Sequence, residues 1–159
     1  MGELTGIVFH LIPEIQRKMV GWDCARRIKV ENCCFEPMLY DILQPGETFT
    51  TGRDVAICAR NKGLRAGICH AEAMHRESWR FPFKWREHEY LLFSEIWRRP
   101  DGRYKIPVLR WRYGFWKLDF VPFGLPIYRG RVVGSIIRSD VLPQEDWVPG
   151  SGLLQSSRL

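Results

Sequence analysis

The chain has 159 residues, 45% of them hydrophobic, 13% aromatic and 26% charged, with a net charge of +6. This composition supports one packed core and excludes a globally disordered chain, and no run approaches the roughly 18 apolar residues of a membrane span. The five cysteines (Cys24, Cys33, Cys34, Cys58, Cys69) are odd in number and form no Cys-x-x-Cys pair, which argues against a disulfide framework.

In chain order, a short helix is expected over 13–20. Pro13 suits the first helical position, Glu14 and the pair Arg17 and Lys18 complement the helix dipole, and Ile15 and Met19 share a face. A second helix is expected over 37–43, ending before Pro45. Val55, Ile57 and Ala59 then alternate as in a strand over 54–60. Asn61-Lys62-Gly63 has turn chemistry, and 64–71 reads as the returning strand, against a competing helical spacing of Ile68, Ala71, His75 and Trp79.

The clearest local signal is a hairpin with arms over 90–97 and 104–113 about Pro100-Asp101-Gly102, where Pro presets φ and Gly accepts the left-handed position. Pro107 in the return arm implies an edge strand or a bulge. A further extended segment covers 128–137, with Gly130 and Gly134 marking a bend or bulge. Residues 1–148 are expected to form one compact domain and 149–159 a flexible tail. The fold class implied is α+β: short N-terminal helices packed on an antiparallel sheet or a small partly open β-barrel.

The charge is not evenly spread. The stretch 98–117 carries Arg98, Arg99, Arg103, Lys105, Arg110, Arg112 and Lys117 against one acid, Asp101, so its net charge of six equals that of the whole chain. Along the return arm, Leu109, Trp111 and Tyr113 point one way and Arg110 and Arg112 the other. Arginines beside Trp111 and Trp116 suit phosphates and stacked bases. The alternative is that the arginines keep a strand edge soluble and the tryptophans fill the core. If Arg98, Arg99, Arg103, Arg110 and Arg112 were each paired with acids such as Glu87, Glu89, Glu95 or Asp119, the charge would be structural, binding through these arginines would fail, and the assembly-subunit reading would come first.

A second motif is Cys69-His70-Ala71-Glu72. His-x-Glu is half of the zinc-deaminase pattern, but the downstream Pro-Cys-x-x-Cys is missing, and no paired spacing of a zinc site occurs elsewhere. Cys69, His70 and Glu72 remain weak candidates for an acid–base or nucleophilic site. No metal or other cofactor is expected. The expected function is a noncatalytic nucleic-acid-binding module with RNA or DNA as partner. The alternative is a protein-interaction or assembly subunit, homo-oligomeric in one form, and an enzyme is the remote third. The odd cysteine count and the lack of a basic, apolar leader point to the cytoplasm, with no membrane partner.

Overall fold

The structure, a computed structural model, describes residues 2–141, so the tail expected over 149–159 lies outside the described residues. In chain order the elements are β1 (Glu3–Leu4), β2 (Phe9–Leu11), β3 (Asp23–Cys24), β4 (Cys33–Asp41), β5 (Thr50–Thr51), α1 (Gly52–Asn61) and α2 (Ile68–Arg76). Two 3-10 turns follow, Ser78–Arg80 and Phe83–Glu87. Then come β6 (Tyr90–Leu91), β7 (Trp97–Arg98), β8 (Tyr104–Arg112), β9 (Phe115–Pro122), β10 (Pro126–Ile127) and β11 (Arg131–Ile137).

One curled sheet runs β1-β4-β11-β6-β8-β7-β3, with β2 also on β4 and β9 on the far side of β8. It is a partly open barrel in an α+β fold, the class expected from the sequence. Its pairings are antiparallel except for the parallel β11–β6 contact. Neighbouring strand residues serve opposite faces. Leu109 and Val133 pack with α2, Phe9, Phe35 and Trp116 on one face. Val108 and Val132 pack with Val55 and Ala59 of α1 on the other. Burial on both faces explains why Ile106–Leu109 reads as a continuous apolar run rather than an alternation.

Both long strands carry a proline where their outer neighbour breaks. The carbonyl of Pro107 accepts from Leu92 N–H in the gap between β6 and β7. The carbonyl of Pro37 accepts from Thr5 N–H in the gap between β1 and β2. In an antiparallel strand the N and C=O of one residue face the same neighbour, so each proline turns its missing donor toward chain that has already left the ladder. The ladder to the outer neighbour breaks at Pro107, while pairing with β9 runs on through it without a bulge. Of the segment expected as a helix over 37–43, residues 37–41 are instead the end of β4.

Three other local expectations are overturned. Residues 54–60 are helical: Thr51 Oγ1 caps by accepting from Asp54 N–H at 3.2 Å, and the buried positions Gly52, Val55 and Ala59 follow the helical period. Ile57, the middle of the apparent strand alternation, is exposed. Residues 68–71, expected as the end of a strand, instead open α2 (Ile68–Arg76), in line with the competing helical spacing of Ile68, Ala71 and His75, and the helix is buried along Ile68–Met74. Residues 13–20 form no helix. The backbone N–H groups of Gln16 and Arg17 instead donate to the two carboxylate oxygens of Glu72, at 3.0 and 2.7 Å.

Glu72 is one of three buried glutamates that hold irregular backbone. Glu36 accepts from Gly6 N–H and pairs with Arg138. Glu95 accepts from Ile68 N–H at 2.8 Å and Ile28 N–H at 3.0 Å, joining the start of α2 to the 25–29 segment. Burial pushes the Glu95 carboxyl up, while those two N–H donors and Arg27 draw it back. Removing such an acceptor leaves backbone donors unsatisfied, so Glu72→Ala is expected to lower stability by about 1–3 kcal/mol in urea unfolding. It should also open 13–20 to limited proteolysis, with Glu72→Gln intermediate. Wild-type stability and cleavage in Glu72→Ala would contradict this role.

Candidate functional site

The basic stretch 98–117 forms two hairpins that share β8. The first turns at Pro100-Asp101-Gly102, closed by Arg99 N–H to Arg103 O and Gly102 N–H to Arg99 O, with Gly102 at φ 87°. The second joins β8 to β9, with Arg112 opposite Phe115. Its two central residues, Tyr113 (φ 56°) and Gly114 (φ 85°), both lie in the left-handed region, as a two-residue type I′ turn requires. Tyr113, grouped by the sequence pattern with the inward residues Leu109 and Trp111, is instead 84% exposed at this turn.

The five arginines of this stretch each have an acid within 4.0 Å. Arg98 meets Asp23 at 3.1 Å, and Arg99 and Arg103 share Asp101 at 3.8 and 4.0 Å. Arg110 lies between Asp119 (3.1 Å) and Glu89 (3.7 Å), and Arg112 reaches Glu89 at 3.6 Å. Three of these acids, Asp23, Glu89 and Asp119, come from outside 98–117, so the cationic cluster of the sequence is largely balanced in space. The pairs differ in strength. Arg103 is 78% exposed and its pair is weak in water, whereas Arg110 is 23% exposed and held from two sides.

The aromatic residues divide as well. Trp116 is 7% exposed and packs edge-on against Phe81 in the core, so it has no free face for a ligand. Trp111 is partly buried against Trp116, and its ring is covered by the Arg86 guanidinium at 3.7 Å. Arg86 also lies 4.6 Å from the Phe83 ring. On the other side of the turn, Lys117 Nζ sits 4.9 Å from the Tyr113 ring and 5.2 Å from the Phe115 ring. Among the described residues Arg86 and Lys117 have no acid within ion-pair distance. Phe83, Arg86, Tyr113 and Phe115 thus join the sequence-derived Trp111 and Lys117. The Tyr-Gly-Phe tripeptide is the sequence signal for the turn, since Gly flanked by aromatics breaks the strand pattern.

Cys69, His70 and Glu72 share α2 but serve different neighbours. Burial pushes the Cys69 thiol up, away from thiolate, and its closest polar contact is Arg27 Nη2 at 4.0 Å. Glu72 is occupied by the 16–17 backbone. His70 Nδ1 accepts from Gly67 N–H at 3.1 Å, capping α2. Neutral imidazole then carries its proton on Nε2, which faces Ser135 Oγ at 3.4 Å, and that hydroxyl donates to the Arg65 carbonyl. In this arrangement Nε2 cannot take the serine proton. Among the described residues no three His, Cys, Asp or Glu side chains converge as metal ligands, and no helix is long and apolar enough to cross a membrane. No family model, curated protein or solved structure matches this chain.

Burial, then the charge of Arg65, lowers the pKa of His70 to about 4 from the ordinary 6.5. The folded state therefore favours the neutral ring. This stabilisation is complete above the unfolded pKa and is lost as pH falls from 6.5 through about 4. Between about pH 7.5 and about pH 4.5, wild type should lose about 2–3 kcal/mol more stability than His70→Gln, whose amide can still accept from the Gly67 N–H. Parallel urea titrations of the two proteins measure the difference; equal losses would mean that His70 does not carry the effect.

Proposed function

We propose that this protein is a noncatalytic nucleic-acid-binding module that engages a single strand of RNA or DNA with the turn of the β8–β9 hairpin. The observation that carries this reading is Tyr113: a bulky residue at positive φ, 84% exposed, at the tip of a ribbon with Phe115 beside it and a lysine over both rings. A non-glycine residue in that conformation is costly, and such strain concentrates at functional positions. Exposed rings offer π-faces to bases of any sequence, and Lys117 supplies charge for phosphate.

All five arginines of 98–117 meet acids, so their charge is structural and the binding expected through them is not retained. The proposed binding rests on the Tyr113 turn and Lys117, and the arginine pairing by itself favours a second reading, an assembly subunit. Trp79 and Phe83, 80% and 78% exposed, would then be covered by a protein partner or a second copy.

Tyr113→Asn separates ring from turn, because Asn tolerates the left-handed region. The melting temperature should hold or rise, while affinity for a single-stranded oligonucleotide falls by about 1–3 kcal/mol for the lost stack. Lys117→Ala should weaken binding and reduce the log–log salt slope by about 0.7. Absence of any retardation of oligonucleotides by wild type at low salt refutes the reading. A concentration-dependent dimer in sedimentation that Tyr113→Asn or Phe83→Ala abolishes would put assembly in its place.

A further inference from the structure

A cavity lies at the opposite end of β8 from the Tyr113–Gly114 turn, with Tyr104 in its lining. It is an open cleft of about 780 Å³ between the 25–29 segment, α1 with the loop that follows it, and the chain leading into β7. Five cations line it: Arg26, Arg27, Lys29, Arg60 and Arg65. No Asp or Glu does, and among the described residues none of the five has an ion pair within 4.0 Å. The floor is apolar, formed by Leu64, Phe93, Ile96, Tyr104 and Phe123. This differs from the 98–117 stretch: there, charges clustered in sequence are balanced in space, while here two separate segments, 26–29 and 60–65, bring their cations together, and of these Arg27 acts on a nearby acid, Glu95.

The walls are held. Arg65 Nη2 donates to the Lys29 carbonyl at 2.9 Å, tying the loop after α1 to the basic segment. The Glu95 carboxylate anchors the same segment through Ile28 N–H, with its oxygens engaged by backbone behind the wall. Five like charges gathered in a cleft repel one another and focus a positive field into it, a cost that an anion relieves. More than one anionic group is needed to meet them, and an apolar floor with an exposed Tyr104 ring suits a flat organic body.

We propose that this cleft binds a nucleoside polyphosphate, with its phosphates on Arg26, Lys29, Arg60 and Arg65 and its base against Tyr104 and Phe123. Arg27 is engaged with Cys69 and Glu95 behind the wall. A volume of about 780 Å³ is that of a small-molecule site. The sequence has no glycine-rich phosphate loop ending in Lys-Ser or Lys-Thr, so side chains rather than backbone N–H groups hold the phosphates. The site is independent of the Tyr113 turn.

The test is isothermal titration of the full chain at low salt with ATP, inorganic tripolyphosphate and adenosine. ATP should bind with one-to-one stoichiometry, tripolyphosphate about tenfold more weakly, and adenosine not at all. Arg60→Ala combined with Arg65→Ala should weaken ATP by at least about tenfold. Because Arg65 also ties the wall to Lys29, Arg60→Ala alone, which breaks no such tie, should weaken ATP several-fold at an unchanged melting temperature. If that pair fails to fold, Arg60→Gln, which keeps most of the side chain, should still weaken ATP several-fold. Tyr104→Ala should weaken ATP but not tripolyphosphate, whereas Tyr113→Asn should leave ATP binding as in wild type. No ATP binding at low salt, equal affinity for ATP and tripolyphosphate, or wild-type affinity in the Arg60 and Arg65 variants would each overturn the proposal. Oligonucleotide binding that survives in Tyr113→Asn but is lost with Arg60 and Arg65, without ATP binding, would make the cleft part of a nucleic-acid surface and overturn it too.

Discussion

Three buried carboxylates accept hydrogen bonds from backbone that has no regular partner, and much of the remaining architecture depends on them. Glu36 holds Gly6, Glu72 holds Gln16 and Arg17, and Glu95 holds Ile28 and the first turn of α2. The chain before β4 contains only short strands, so its amides need acceptors from elsewhere. A carboxylate offers two oxygens and charge-assisted bonds, which makes it a stronger acceptor than another loop carbonyl. The cost is desolvation of the acid, visible at Glu95 as a carboxyl raised by burial. Backbone N–H donors offset that cost, aided by arginine at Glu36 and Glu95.

Because Glu72 sits on α2 and Glu95 caps its start, the same interactions fix the helix against the curled sheet. His70 adds a third tie through Gly67 and Ser135. A helix buried on almost every side needs its polar residues satisfied internally, which is why residues that resemble a catalytic set are committed to structure. With α2 on one face and α1 on the other, β8 becomes the central rail of the fold. It spans roughly 30 Å from Tyr104 to Arg112 and separates the aromatic turn at one end from the basic cleft at the other.

Charge acts differently in one dimension and in three. Consecutive residues of a strand alternate faces, and their neighbours come from distant sequence. Arg110 therefore finds Asp119 across a hairpin and Glu89 on another segment. Arg26 and Arg60, far apart in sequence, line one cleft because the Glu95 anchor and the end of α1 bring their segments together.

The sequence by itself determined the α+β class, the Pro-Asp-Gly turn, the β8 strand with Leu109 and Arg110 on opposite faces, and an extended segment over 128–137, of which 131–137 is strand, because each rests on local rules of turn chemistry and period. It also signalled the irregularity at Pro107, since a missing donor is a property of one residue. Tertiary structure alone decided the rest. Pairing with β11 on one side and a gap opposite Pro37 on the other keep 37–41 in a strand; a Thr51 cap and a packed Val55–Ala59 face make 52–61 a helix; a buried glutamate replaces the helix over 13–20. In each case a hydrogen bond to a residue distant in sequence, or burial against one, outweighs a local preference of a few tenths to about 1 kcal/mol. The positions that carry the functional readings follow the same division. Lys117 and Trp111 were legible from charge and aromatic pattern. Tyr113 was legible only as a strand residue, and the cleft not at all, because convergence of side chains from separate segments is a property of the folded chain.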